Sequence, residues 1–235
     1  LGFIFKIQAN INPNHRDRVA FLRICSGKFK KGMEVYISNS NKTVRLAQPQ
    51  HFMAQDREIV EEAWPGDIIG LFDPGIFRIG DTLSSKNPAP LFEGIPLFPS
   101  EHFARVSAKD TMKRKQFLKG IRQLSEEGAV QVYKQLDIGI EEFIVGAVGV
   151  LQFEVLEHRL KNEYNVLLRL INLPHKFARW LITDGIDVHK LNLTSSTILA
   201  EDKFGKTVLL FENQWSIDWA RDKNKGTELF DVSIT

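Results

Sequence analysis

A chain of 235 residues with 43% apolar and 26% charged side chains has the balance of a folded protein, with apolar material for one large core or two ordinary ones. No apolar run approaches the ~20 residues of a membrane-spanning helix, and no basic-then-apolar leader is present, so neither a helical membrane protein nor an exported one is expected. Net charge is only +2, and the lone Cys25 cannot form an internal disulfide, which fits a reducing cytoplasm.

The charge is unevenly spread. Residues 1–50 hold nine cations (Lys6, Arg16, Arg18, Arg23, Lys28, Lys30, Lys31, Lys42 and Arg45) against Asp17 and Glu34. An acidic stretch follows, with Asp56, Glu58, Glu61, Glu62 and Asp67. A second basic run from Arg105 to Arg122 carries seven cations against Asp110. Two basic patches on a nearly neutral protein point to docking on a polyanion, weighed against plain solvation of the surface.

In chain order, the first ninety residues read as short strands. Phe3–Ala9 and Arg18–Cys25 are rich in β-branched and aromatic residues, and Asn12-Pro13-Asn14-His15 between them is turn chemistry. Met33–Ser38, Thr43–Ala47, Phe52–Ala54 and Asp67–Phe72 follow, punctuated by Pro65-Gly66, Pro74-Gly75 and Gly80-Asp81. This spacing predicts a small antiparallel β-barrel over residues 1–88. Pro88, Pro90, Pro96 and Pro99 then crowd residues 86–99, where prolines stiffen the chain and withhold ladder donors, so the domain boundary is expected there.

Beyond it the period changes from two to 3.6. Phe103–Val106 predicts a strand. Met112–Leu124 predicts a helix, with Phe117, Leu118, Ile121 and Leu124 on one face, Asp110 as cap and Gly128 past the end. Strands at Ala129–Tyr133 and Glu142–Ala147, a helix at Val150–Tyr164 and a strand at Val166–Ile171 complete a β-α-β-β-α-β order. That order is the ferredoxin-like, split βαβ arrangement, placed in an α+β domain over 89–235 with its core at about 100–172. Strands at Phe177–Ile182 and Thr207–Phe211, a helix at Glu212–Arg221 and an edge at Asp231–Ile234 are expected to extend it, a small third unit being the alternative.

Several segments resemble one family. Arg23–Met33, Pro65–Leu71 and Ile79–Leu83 are similar to the hairpin and closing signatures of domain two in translational GTPases. Gly2–Asn10 with His15–Phe21, Leu124–Val132, and Ile144–Val155 followed by Arg159-Leu160 and Glu163-Tyr164-Asn165 narrow this to the bacterial class II release factors. The likeness covers roughly residues 2–180. It implies a GTPase that docks on the ribosome and helps dissociate a class I release factor. The resemblance also implies GTP or GDP with Mg in a GTPase domain preceding Leu1, and Leu1–Ile7 opens in mid-strand. The partners implied are ribosomal RNA and proteins, class I release factors and that GTPase domain, with no membrane and no DNA. Elongation factor G, a ribosomal protection protein and a stand-alone RNA-binding module are the rival readings.

No catalytic, cofactor-binding or metal residue is expected in the chain itself. The P-loop pattern, Gly, four residues, then Gly-Lys-Ser/Thr, is absent, as is G-x-G-x-x-G, and Gly146-Ala147-Val148-Gly149 reads as a tight turn before a helix rather than an anion cradle. Cys25 reads as a small core residue, the six histidines are scattered, and Glu126-Glu127 and Glu141-Glu142 lack an acid–base partner. The candidate ribosome or RNA contacts are therefore basic: His15, Arg16 and Arg18 at a strand junction, Lys28, Lys30 and Lys31 at a hairpin, and Lys115, Lys119 and Arg122 at i, i+4, i+7 on a helix. For Arg16 and Arg18 a grip on the GTPase domain is the alternative. Trp64, Trp180, Trp215 and Trp219 could stack on bases, but burial is expected for at least three of them.

Overall fold

The computed structural model describes all residues except 10–17, 47–48, 54–55, 87–90, 93–94, 96–97, 137–141, 183–186 and 233–235, and the side chains of 50–58. They divide into two units, Leu1–Pro96 and Leu97–Thr235.

The first unit is built from strands β1 (Gly2–Ala9), β2 (Arg18–Ile24), β3 (Phe29–Lys30), β4 (Glu34–Ile37), β5 (Lys42–Arg45), β6 (Pro49–Met53), β7 (Asp56–Ile59), β8 (Glu62–Ala63), β9 (Ile68–Phe72) and β10 (Thr82–Ser84). Eight of them form an antiparallel sheet in the order β5-β4-β10-β1-β2-β9-β6-β7. Only residues 46–48 join β5 to β6, which lie at and next to opposite ends of that order, so the sheet must curl on itself into the expected barrel-like form. The ribbon β3–β8, pairing Phe29 with Ala63 and Lys30 with Glu62, is separate from it. Alternation in β1 is interrupted by a bulge between Ile4 and Lys6, which turns Ile7 and Ala9 inward after Gly2 and Ile4. Ile4 and Ile7 join Leu22, Ile37, Ile69 and Leu71 in one buried core.

The second unit contains β11 (His102–Ala108), α1 (Arg114–Glu126), β12 (Gln131–Gln135), β13 (Phe143–Ala147), α2 (Leu151–Tyr164), β14 (Leu168–Leu173), β15 (Phe177–Leu181), β16 (Ile198–Glu201), β17 (Thr207–Phe211), α3 (Gln214–Lys223) and β18 (Leu229–Phe230). Asp110 accepts from the Met112 N–H at 2.9 Å in a 3-10 turn leading into α1, and Gly128, at φ +77°, follows its end. The first four strands take the split βαβ order β14-β11-β13-β12. Alternate residues point to opposite faces: Ala104, Val106, Val145 and Ala147 meet Phe117, Ile121, Leu156 and Leu160 of α1 and α2.

The residues after β14 continue this same sheet. β12 pairs with β16 at Lys134–Glu201 and Gln135–Ala200, and the order runs on through β17, β15 and β18. Only residues 174–176 connect β14 to β15, near the far end, so this sheet also folds over. Phe103, Tyr133 and Ile144 thereby pack against Ala178, Trp180, Val208 and Leu210. Outside the folded-over half, Ile217 and Ala220 of α3 cover Leu199, Leu209 and Phe211. The expected edge at Asp231–Ile234 is instead β18 two residues earlier, where Phe230 pairs with Trp180; residues 233–235 lie outside the described ones. Among the described residues no helix is long and apolar enough to cross a membrane.

Candidate functional site

Of the three basic groups, the first divides. His15 and Arg16 lie outside the described residues. Arg18 is mostly buried: its Nε pairs with Asp73 Oδ2 at 2.6 Å, and its Nη2 donates to the Phe77 carbonyl at 3.1 Å. Asp73 Oδ1 in turn accepts from the N–H groups of Gly75, Ile76 and Phe77. The guanidinium is therefore spent on holding the turn at 73–77 against β2.

The hairpin around β3 presents its lysines to solvent, but β8 sets carboxylates opposite them. Lys28 pairs with Glu62 and lies 4.6 Å from the centroid of the exposed Trp64 ring. Lys31 pairs with Glu61 at 2.7 Å. A hydrogen bond from Lys28 holds Glu62 below the ordinary carboxylate range, aided by the charges of Lys28 and Lys30. The acidic stretch read from the sequence as a separate run thus partly neutralises the basic hairpin.

The α1 face differs. Phe117, Gly120, Ile121 and Leu124 bury one side, so Lys115, Lys119 and Arg122 lie on the opposite side at one-turn intervals. Arg122, 82% exposed, bonds Glu126 at 3.0 Å, whereas Lys115 and Lys119 are exposed with no ion pair among the described residues. Since an exposed i,i+4 pair is worth only about 0.3–0.5 kcal/mol, an anion can displace it cheaply. The helix itself is anchored: Arg159 of α2 bridges Glu127, just past α1, at 2.6 Å and Glu163 at 2.5 Å. Burial opposes the Arg159 charge, but its hydrogen bonds to Glu163 and Glu127 outweigh this and hold its pKa above the ordinary value. The end of the helix that carries the basic face is thereby tied to α2.

Other candidates acquire structural roles or move. In the turn before α2, the N–H groups of Val148 and Gly149 both donate to Gln152 Oε1, so the chain itself satisfies them. Glu142 faces Arg105 at 3.4 Å, and Glu141 lies outside the described residues. Cys25, expected in the core, is exposed just past the end of β2. Of the tryptophans only Trp180 is buried; Trp64, Trp215 and Trp219 are exposed, which overturns the expectation of burial. One motif escaped the sequence reading: Ala200–Thr207 fits the phosphate-loop spacing if alanine replaces its first glycine. It forms the hairpin between β16 and β17, with Asp202 Oδ1 accepting from Phe204 and Lys206 N–H groups. No helix starts there, so these residues do not fit a nucleotide phosphate. Among the described residues no cluster of three or more His, Cys, Asp or Glu could hold a metal.

Comparison with known proteins gives the geometry a family. Residues 92–221 match the family described as class II release factor RF3, C-terminal domain, and residues 1–86 match elongation factor G domain 2. The chain is 54% identical over 225 residues to the peptide chain release factor 3 of Symbiobacterium thermophilum, covering 96% of this chain and 42% of that protein. Identity to the peptide chain release factor 3 of Listeria welshimeri is 50% over 228 residues, 97% of this chain and 43% of that one. The chain thus spans less than half the length of these curated relatives. Its fold is similar to the crystal structure of ttk003000868 from Thermus thermophilus, with a TM-score of 0.60 over 86% of this chain and 30% of that one at 20% identity. With over half of its residues inside the release-factor family match and half its positions identical to those relatives, this chain belongs to the class II release factor RF3 family.

Proposed function

We propose that this chain is the ribosome- and release-factor-engaging part of a GTPase that promotes dissociation of class I release factors in translation termination. The observation that carries this is the 54% identity to a peptide chain release factor 3 over 96% of the chain. In this reading GTP or GDP with Mg is held by a GTPase domain outside these residues, and the whole acts in the cytoplasm. Residues 1–88 serve as the barrel domain and 89–235 as the α+β domain, with their boundary in the proline-rich stretch 86–99. Ribosomal RNA and proteins, a class I release factor and the GTPase domain are the partners. Elongation factor G is disfavoured because that match stops at residue 86, while residues 92–221 match the release-factor family.

Within this function the contact assigned to Lys115, Lys119 and Arg122 is with ribosomal phosphates; such contacts position a protein without reading sequence. Lys28, Lys30 and Lys31 form a second, weaker contact because Glu61 and Glu62 already face two of them. Arg18 supports the barrel, and His15 and Arg16 are proposed to contact RNA or the GTPase domain. The test is class I release-factor recycling on terminated ribosomes by the full-length protein carrying Lys115→Glu, Lys119→Glu and Arg122→Glu together. Recycling should slow at least about tenfold, the effect of losing roughly 1.4 kcal/mol of docking free energy, while nucleotide binding off the ribosome is unchanged. Wild-type recycling by this variant would overturn the assignment.

A further inference from the structure

Apolar side chains stand on two faces of α3. Ile217 and Ala220 are buried beneath the helix, but Trp215 and Trp219 project on another side, 63% and 38% exposed. Their spacing of i,i+4 stacks the rings, with centroids 5.5 Å apart and planes at 35°. The ledge is held firmly. Asn213 caps the helix by accepting from the Ser216 N–H at 3.0 Å, and the Asn224 side chain donates to the carbonyls of Ala220 and Asn192 at the other end. Two large indoles exposed to water on a helix capped at both ends serve no purpose in the core, and they lie outside the docking surface assigned above.

The neighbouring charges select the guest. Lys223, one turn beyond Trp219, sets its Nζ 4.9 Å from that ring's centroid, so the chain already covers one indole with a cation. Trp215 keeps the more open ring. Helical spacing puts Asp218 and Asp222 along the flank opposite Lys223, both exposed, Asp218 accepting from Gln214 at 3.0 Å. A nucleotide stacked on Trp215 would bring its phosphate beside these carboxylates, and an aliphatic guest would leave them unanswered. A guanidinium satisfies both needs: its plane stacks on an indole while its N–H fork meets a carboxylate. We propose that Trp215 and Trp219 with Asp218 and Asp222 form an arginine-recognition ledge that docks an arginine-bearing extended segment of a partner protein. The proposal is independent of the phosphate contact assigned to α1.

The test uses the full-length protein with fluorescein-labelled octa-arginine, octa-lysine and decauridylate, read by anisotropy at about 0.1 M salt, where long-range surface charge is screened. Octa-arginine should bind about three- to tenfold more tightly than octa-lysine, the range of an exposed cation–π contact backed by a carboxylate. Trp215→Ala should abolish that preference, and so should Asp218→Asn with Asp222→Asn, each with an unchanged far-UV spectrum and thermal midpoint. The Lys115→Glu, Lys119→Glu, Arg122→Glu variant should keep it, so this ledge and the α1 contact fail separately. Equal binding of the two peptides, or a preference that survives Trp215→Ala, would overturn the proposal. Decauridylate binding that weakens in Trp215→Ala would also overturn it, assigning the ledge to nucleobases instead.

Discussion

Asp73 shows how much of the first unit rests on single polar atoms. Its side chain is fully buried, accepts three backbone N–H groups and pairs with Arg18. Asp73→Ala would strand both the guanidinium and those donors, a loss of about 3–5 kcal/mol for a broken buried pair. Urea unfolding should show it; a cost under about 1 kcal/mol would mean that Arg18 is not held as described and return it to the docking candidates. At the hairpin the expected effect is electrostatic. Because Lys28 holds Glu62 below its ordinary pKa, the stability this pair contributes is present above the unfolded-state value and fades as pH falls through the folded one. Lys28→Ala should raise the Glu62 pKa toward ordinary, readable by carboxylate NMR titration, and an unmoved titration would contradict the pairing. Neither partnership was legible in the sequence. Local charge counting finds the cations, but Arg18 and Asp73, or Lys28 and Glu62, meet only once the sheet has folded.

Helices and their caps were the most legible elements. α1 announced itself through Phe117, Ile121 and Leu124 at 3.6-residue spacing, with Asp110 before and Gly128 after it. β7 and β16 were missed for opposite reasons. β7 runs through the acidic stretch, where Asp56-Arg57-Glu58 reads as charged surface, and β16 is only four residues long behind the Thr194-Ser195-Ser196-Thr197 turn. α3 was found, but its indoles were assigned to the core because large aromatics usually are; only the helix register shows Ile217 and Ala220 taking that place. Sequence also cannot show how close two helices come. A Cβ on Gly120 would sit 2.5 Å from Leu160 Cδ2 and 3.0 Å from Tyr164 Cγ. Gly120→Ala gains up to about 1 kcal/mol of helix propensity and incurs overpacking of about 1–3 kcal/mol. The thermal midpoint of the second unit should therefore fall, and a rise would mean that α1 and α2 pack less closely.

For the whole molecule, strand order matters more than strand identity. Both eight-stranded sheets curl over by the same device, a three-residue connection between strands far apart in the order. The β-α-β-β-α-β pattern revealed the first half of the second sheet. The second half was read only as an extension, because the β12–β16 pairing that joins it spans two residue pairs. That fold gives α1 a buried side and a side free for its cations, and on this the functional account rests. The direct measurement is ribosome affinity of the full-length protein against salt, wild type beside Lys115→Gln, Lys119→Gln and Arg122→Gln together. The account predicts weaker binding and a log–log salt slope shallower by roughly two to three, at about 0.7–0.9 for each phosphate no longer neutralised. An unchanged affinity and slope would contradict it and leave α1 a solvated helix.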